Sequence, residues 1–258
     1  MSYKFVRSLD ELWLTEIPEH WDNQRIKYIF SERVEKGYSN EPLLVASQNM
    51  GVVPKNIYGN RTVEATKDLF NLKLVRVGDF VISLRSFQGG LEYAYYQGII
   101  SPAYTVMTPN AFIITGGYFR YLAKSRLFIE LLQMCVTGIR EGQNIDYGKL
   151  KNHHIPLPPL EEQDQIVRFL DWKVSQINKF IKLIYGKSSI DPKVLEGYPN
   201  SILAKLVEYR TRLICDVVTG KMDVRDAIVP KYNKVEEATD MLEIIVDNDT
   251  SDEEMGDA

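Results

Sequence analysis

The chain is poor in cysteine: among its 258 residues only Cys135 and Cys215 occur, 80 positions apart. That spacing excludes a disulfide framework and a zinc ribbon. Long apolar runs are missing as well, and none approaches the roughly 18–20 residues that span a bilayer. The opening stretch, Met1-Ser2-Tyr3-Lys4-Phe5-Val6-Arg7-Ser8-Leu9-Asp10-Glu11, lacks the uninterrupted apolar segment of a signal peptide, so a cytoplasmic address is expected. Catalytic signatures are equally scarce. No Gly-x-Ser-x-Gly, His-Glu-x-x-His or Cys-x-x-Cys occurs. Gly186-Lys187-Ser188 resembles the end of a phosphate-binding loop, but the earlier glycine it requires is Ile181, inside a predicted helix. Pro158-Pro159 lies between Leu157 and Leu160, so the polar-Pro-Pro-aromatic tetrapeptide of amino-methyltransferases is absent. His153-His154 are adjacent, and neighbouring strand residues point to opposite faces; they read as surface or junction residues rather than a shared metal site. No active site is visible in the residues, and no metal is expected.

What is present fits a soluble globular protein with a sizeable core: 45% of residues are apolar, 11% aromatic and 26% charged. The net charge of −4 conceals an asymmetry. Residues 234–258 hold ten acidic side chains and one lysine, a charge of −9, and the remaining 30 basic against 25 acidic residues leave 1–233 at +5. A mildly basic body permits nucleic-acid binding without demanding it. The acidic end reads as a disordered solubilising tail, or as a competitor of DNA phosphate for the basic surface.

Two boundaries divide the chain. At Ile155-Pro156-Leu157-Pro158-Pro159-Leu160 three prolines in four positions forbid regular structure. The second boundary is the loop 186–199, rich in glycine, serine and proline. Before the first boundary, strand-like runs at 26–30, 43–46, 76–84, 92–96 and 104–108 and an amphipathic helix at 118–136 predict an α+β domain over 1–155. After it, Ile166, Leu170, Val174, Ile177, Ile181 and Ile184 recur at steps of 4, 4, 3, 4 and 3, the seam of a helix packed on another helix. Glu161-Glu162 favour its N-terminus and Gly186 its stop. A second helix over 200–218 turns Leu203, Leu206, Leu213 and Val217 inward. The expected architecture is therefore a mixed α+β lobe (1–155), a coiled-coil-like helical spacer and dimerisation region (156–225) and the acidic tail (226–258). A first helix over 160–185 would be about 39 Å long, close to the roughly 34–36 Å of one turn of B-DNA.

Several segments together resemble one half of a DNA specificity subunit from type I restriction–modification systems. Glu16-Ile17-Pro18-Glu19-His20-Trp21 is similar to the opening of a target-recognition domain of that family. Ser86-Phe87-Gln88-Gly89-Gly90 and Ile100-Ser101-Pro102-Ala103-Tyr104 resemble motifs inside one subclass. Ile155-Pro156-Leu157-Pro158-Pro159-Leu160-Glu161-Glu162-Gln163 matches the junction into the family's spacer helix. Tyr209-Arg210-Thr211-Arg212-Leu213-Ile214 with Val218-Thr219-Gly220-Lys221-Met222-Asp223-Val224-Arg225 resembles the end of such a subunit. The usual subunit carries two recognition domains and two spacer helices, whereas here each occurs once, without internal repeat, and the loop 186–199 interrupts the helical arm. The resemblance implies a non-catalytic chain that reads double-stranded DNA and holds methyltransferase subunits. Those partners use S-adenosylmethionine, and motor–nuclease subunits use ATP and magnesium; no cofactor is expected on this chain. A half-subunit has to pair, with a second copy or with another half, and two copies on a two-fold axis suit a palindromic bipartite site. The alternative is a protein-only assembly module or an inactive remnant of a split gene.

Reading bases needs amide, guanidinium or hydroxyl groups that reach base edges. Three loops supply them: Arg85, Ser86, Gln88 and Gly89; Gln48 and Asn49; and Arg140, Gln143 and Asn144. Arg85 suits guanine and Gln88 adenine. The same residue types also mark ordinary turns. Tyr93, Tyr95, Tyr96 and Tyr104 read as sheet packing rather than base stacking, Trp13 and Trp21 as core anchors, and Trp172 as packing against the second helix. Arg168, Lys173, Lys179, Lys182, Lys205, Arg210 and Arg212 form a solvated helical face or track phosphates.

Overall fold

Short strands separated by turns build the lobe, and two longer helices build the strut. The computed structural model describes residues 2–48, 50–58, 68–82, 90–138, 144–186, 195, 197–198 and 201–232. The first elements are β1 (Val6–Ser8), β2 (Glu16–Pro18), β3 (Asp22–Arg25), α1 (Ile26–Ile29), β4 (Phe30–Glu32), β5 (Leu44–Ser47), β6 (Gly51–Pro54) and α2 (Lys55–Tyr58). Next come β7 (Lys73–Val75), β8 (Phe80–Ile82), β9 (Leu91–Tyr93), β10 (Gly98–Ile100), β11 (Thr105–Pro109), α3 (Gly116–Ala123) and α4 (Arg126–Met134). The chain continues through β12 (Val136–Thr137), β13 (Asn144–Ile145), α5 (Tyr147–Leu150), β14 (His154–Leu157), α6 (Leu160–Tyr185) and α7 (Ile202–Val218).

The centre of the lobe is an antiparallel sheet in the order β4-β11-β8-β9. Alternation along its strands sends Phe80, Ile82 and Met107 to one face and Val81 and Val106 to the other. The first face packs on α3 and α4 through aromatic edges: Phe119 lies 4.8 Å from Phe80 and 5.7 Å from Phe128, both nearly perpendicular. The second face is covered by Leu44, Val52, Val75, Ala94 and Ile100 from the pairs β5–β6 and β7–β10 and the segment after β9.

Three local expectations change. Residues 26–29 form a helical turn, and of the run 26–30 only Phe30 belongs to β4, because a helical step of three buries both Ile26 and Ile29. Within the described part of the run 76–84, strand begins only at Phe80; before it, the buried Asp79 carboxylate accepts the Arg76 N–H and closes a turn. The expected helix over 118–136 is two helices. Ser125 breaks it, its hydroxyl accepting from Phe128 N and donating to Leu122 O.

The strut begins where the prolines require. Pro159 precedes α6, Glu161 and Glu162 occupy its first turn, and Gly186 closes it at φ +78°. Ser201 caps α7, its hydroxyl accepting from Ala204 N, so the second helix starts at Ile202 rather than 200. The two helices run antiparallel: Gln165 donates to Val224 O and Ala227 O, whereas further along Asn178 accepts from Arg210. Ile166, Leu170, Ile177 and Ile181 are buried together with Leu213 and Val217, and Val174, Leu203 and Leu206 are partly buried. Ile184 departs from the expected seam. It is 53% exposed, with Phe180 at 59% and Leu183 at 83%, although Ile181 beside them is fully buried. Trp172 packs on Phe169 of its own helix.

Lobe and strut meet around one carboxylate. Glu162 is buried; its Oε1 accepts from the Tyr3 hydroxyl and from Trp21 Nε1 (3.0 Å), and its Oε2 lies 2.7 Å from His20 Nε2. Gln163 accepts from Thr115 N and donates to Ile113 O and Pro158 O. The Tyr118 hydroxyl contacts the carbonyls of Pro156 and Val218. Gly220, at φ +77°, sits so near Pro18 that a Cβ would fall 2.2 Å from its Cδ. Replacing Glu162 by alanine strands two buried donors and is expected to lower the unfolding free energy by about 2–4 kcal/mol. Gly220→Ala is expected to cost more than about 1 kcal/mol through its backbone alone. Urea unfolding measures both; an unchanged midpoint for Glu162→Ala would remove this carboxylate as the tie between lobe and strut.

Candidate nucleic-acid interface

Two hairpins are aligned toward one end of β9. Ile82 pairs with Leu91 and with Thr105, so the chain leaves β8 and re-enters β9 beside the Ser101–Tyr104 turn. The β5–β6 hairpin is bridged to the segment after β9 in parallel at Val52 and Ala94, which directs its turn toward the same end. Gly51 makes that approach possible: at φ +74°, a Cβ would lie 2.7 Å from the Tyr93 carbonyl and 2.9 Å from the Tyr95 ring. Gln48 is exposed at this turn. Asn49 and the loop residues Arg85, Ser86, Gln88 and Gly89 lie outside the described residues, as do Arg140 and Gln143. Asn144 belongs to a different place, exposed in β13 opposite Thr137 and leading into α5. The structure therefore points the turn at Gln48 toward the end of the sheet where Ile82 pairs with Leu91, with Asn144 in a separate element.

Charges along this sheet are mostly settled internally. Asp79 accepts from Arg33 Nε (2.8 Å) and from the Thr108 hydroxyl (2.8 Å), and Arg33 and Arg76 both reach Glu35. Lys73 donates to the Tyr104 carbonyl. Tyr93 packs edge-on against Phe80 and Tyr95, and Arg120 donates to the Tyr95 hydroxyl, so these rings serve the sheet. Glu92 is the exception. It is buried beside Lys124 at 2.6 Å, and burial outweighs the lysine to push its carboxyl up to about 7.

On the strut, Arg168, Lys179 and Lys205 are exposed, Arg212 pairs with Asp216, and Lys173 lies over the Trp172 ring. Arg210 is turned inward to Asn178, and burial lowers its pKa. Against the expectation from strand alternation, His153 and His154 converge: both Nδ1 atoms meet Glu11, at 3.0 and 2.8 Å. This is possible because His153 precedes β14 instead of lying within it. Burial pushes Glu11 up, but the hydrogen bonds from the two histidines prevail and hold its carboxyl below the usual range. Both cysteines are buried free thiols, and burial raises Cys135 to about 11. No group of three or more metal-ligating side chains stands together among the described residues. No helix among them is long and apolar enough to cross a membrane.

Sequence reasoning missed one cluster. Pairing of β3 with β14 sets His154 opposite Arg25, and Lys27 N donates to Lys151 O, so the segment holding Arg25 and Lys27 is bound to the one holding Lys149 and Lys151, more than a hundred residues away in the chain. Only the long-range register could have revealed this.

Comparison with known proteins gives a consistent result. Residues 16–184 match the family described as "Type I restriction modification DNA specificity domain". The type I restriction enzyme MjaX specificity subunit of Methanocaldococcus jannaschii is 27% identical over 195 residues, covering 66% of this chain and 44% of that protein. The HsdS subunit from Thermoanaerobacter tengcongensis aligns at a TM-score of 0.47 and 15% identity, over 65% of this chain and 45% of that one. The type I restriction-modification S subunit from M. genitalium aligns at 0.40 and 15% identity, over 71% and 45%. The chain thus spans less than half the length of these relatives.

The Glu92–Lys124 pair gives this lobe a pH signature. With the folded carboxyl raised to about 7 from 4.5, the protonated form stabilises the fold fully below about pH 4.5, and that contribution is lost as pH rises through 7. Between pH 5 and 8 the loss should be on the order of 2 kcal/mol. Glu92→Gln is expected to remove this slope and to exceed the wild type in stability at pH 8, by urea unfolding at each pH. A difference between the two proteins that does not vary with pH would mean that Glu92 titrates normally.

Proposed function

The chain belongs to the type I restriction modification DNA specificity family, and on that premise we propose that it is a non-catalytic DNA-reading subunit. The observation that carries this reading is the family match over residues 16–184, which runs unbroken from the lobe through α6. The lobe reads one half of a bipartite site. The turn at Gln48 and the connection carrying Arg85, Ser86, Gln88 and Gly89 contribute one part of the reading surface, and the loop with Arg140, Gln143 and Asn144 contributes another. Arg85 and Gln88 carry the groups that pair with guanine and adenine in the major groove.

The strut sets the distance to a second lobe and scaffolds methyltransferase subunits. Its 26-residue first helix spans about 39 Å. Pairing with a second copy, or with another half-subunit, supplies the second lobe. Methylation with S-adenosylmethionine, and ATP- and magnesium-dependent cleavage by motor–nuclease subunits, are the work of those partners in the cytoplasm. The exposed Phe180, Leu183 and Ile184 at the strut's far end supply apolar surface for assembly.

Arg85→Ala combined with Gln88→Ala is expected to change the methylated sequence in cells while leaving assembly intact. Single-molecule sequencing of host DNA reads the motif, its symmetry and its gap together. An unchanged motif would remove these two residues from the reading surface, and no methylation dependent on this gene would overturn the assignment. Light scattering of the purified chain across a concentration series is expected to show a dimer.

A further inference from the structure

Four cations gather where β3 meets β14, outside the loops assigned to base reading. We propose that Arg25, Lys27, Lys149 and Lys151 form a strip that binds the phosphate backbone of duplex DNA and so sets the register of the lobe on it. The strip rests on the DNA-reading assignment and adds to it a surface that contacts no bases.

Its geometry is fixed by backbone rather than by loops. Arg25 is held opposite His154 in the β3–β14 pair, Ile26 N donates to His153 O (3.0 Å), and Lys27 N donates to Lys151 O (2.9 Å). The Lys27 ammonium donates to Asn152 Oδ1 (3.2 Å), and Asn152 in turn donates to Gly148 O (2.8 Å). Lys149 sits on α5, whose N-terminus is capped by Asp146. Arg25 and Lys149 are exposed, and Tyr28 beside them is 64% exposed, with a hydroxyl able to donate to a phosphate oxygen.

The electrostatics leave these residues without a described carboxylate partner. Arg33, Arg76, Lys124 and Arg225 each hold a carboxylate within 4 Å. Among the described residues, Arg25, Lys27, Lys149 and Lys151 make no such pair. The neighbouring carboxylates are already engaged: Glu11 by the two histidines, Asp146 by the α5 cap, and Asp22 by Gln24 at the far end of β3. Like charges crowded on rigid elements repel one another until an anion relieves them. A polyanion with regularly spaced charges suits fixed cations, and such contacts orient a protein on a duplex without reading sequence. Position supports the same partner: Lys149 lies five residues beyond Asn144, so the strip adjoins a candidate base-reading loop.

The test uses the full chain and a fluorescein-labelled duplex of random sequence, with anisotropy followed between about 50 and 200 mM salt. Replacing all four residues by glutamine is expected to weaken binding at least tenfold at low salt. The slope of log affinity against log salt should become shallower by about 2–4, since each phosphate contact contributes about 0.9. Lys149→Gln with Lys151→Gln, which leaves β3 intact, should give about half of that change and guards against a folding defect. Exchanging the three lysines for arginine should preserve binding. An unchanged slope in a variant beside a wild type that binds would overturn the strip alone, as would loss of binding to phosphatidylserine vesicles with duplex binding unaltered. A wild type with no salt-dependent duplex binding would overturn the DNA-reading assignment together with it.

Discussion

The geometry of the molecule depends on a buried carboxylate. Glu162 gathers a phenol from the N-terminal segment, an indole from the start of the lobe and an imidazole beside it, while itself standing in the first turn of the strut. A buried acceptor of this kind is tolerated only when its donors are in place, and the penalty for misplacing any of them makes the junction specific. Burial together with the adjoining carboxylate pushes the Tyr3 hydroxyl far up, so it remains a donor at any ordinary pH. Arg225 closes over the Tyr3 ring at 5.0 Å and is locked to Asp223. The beginning of the lobe, the root of α6 and the segment after α7 are thus one packed unit.

From this junction the lobe and strut follow separate logics. The lobe is built from strands of two to five residues, which cannot bury much singly and rely on aromatic edges across the sheet. Phe30, Phe80, Phe119 and Phe128 form one such chain of contacts. Short strands leave many connections at the lobe's ends, and connections are where variable recognition can be placed without disturbing the core. The strut has the opposite design: two long helices, few connections, and a buried stripe that thins toward its tip.

Much of this was legible in local sequence. The period of Ile166, Leu170, Ile177 and Ile181 identifies α6 because helical spacing is a short-range property, and three prolines mark its start. The end of the seam was not legible, since Ile184 obeys the same period and is nevertheless exposed. The break at Ser125 was hidden for a similar reason: a buried serine looks like a helix interior until its hydroxyl is seen to cap the next helix. Residues 26–30 read as strand on β-branched and aromatic content, and long-range bonds to residues 151 and 153 override that preference. The chemistry of the site divides the same way. Gln48 announces itself as an amide at a turn, whereas Asn144 lies in a strand and the grouping of Arg25 and Lys27 with Lys149 and Lys151 exists only through the pairing of strands more than a hundred residues apart.

Anchoring the strut at its root turns it into a lever. For an arm about 39 Å long, tilting by about 5° carries the tip through about 3 Å, which is close to the rise of about 3.4 Å between successive base pairs. Under the proposed reading, a tilt of that size at the Glu162 hub would shift the tip of the arm by one step along a duplex. Angular stiffness at the pivot, more than length, then decides where the tip of such an arm comes to rest.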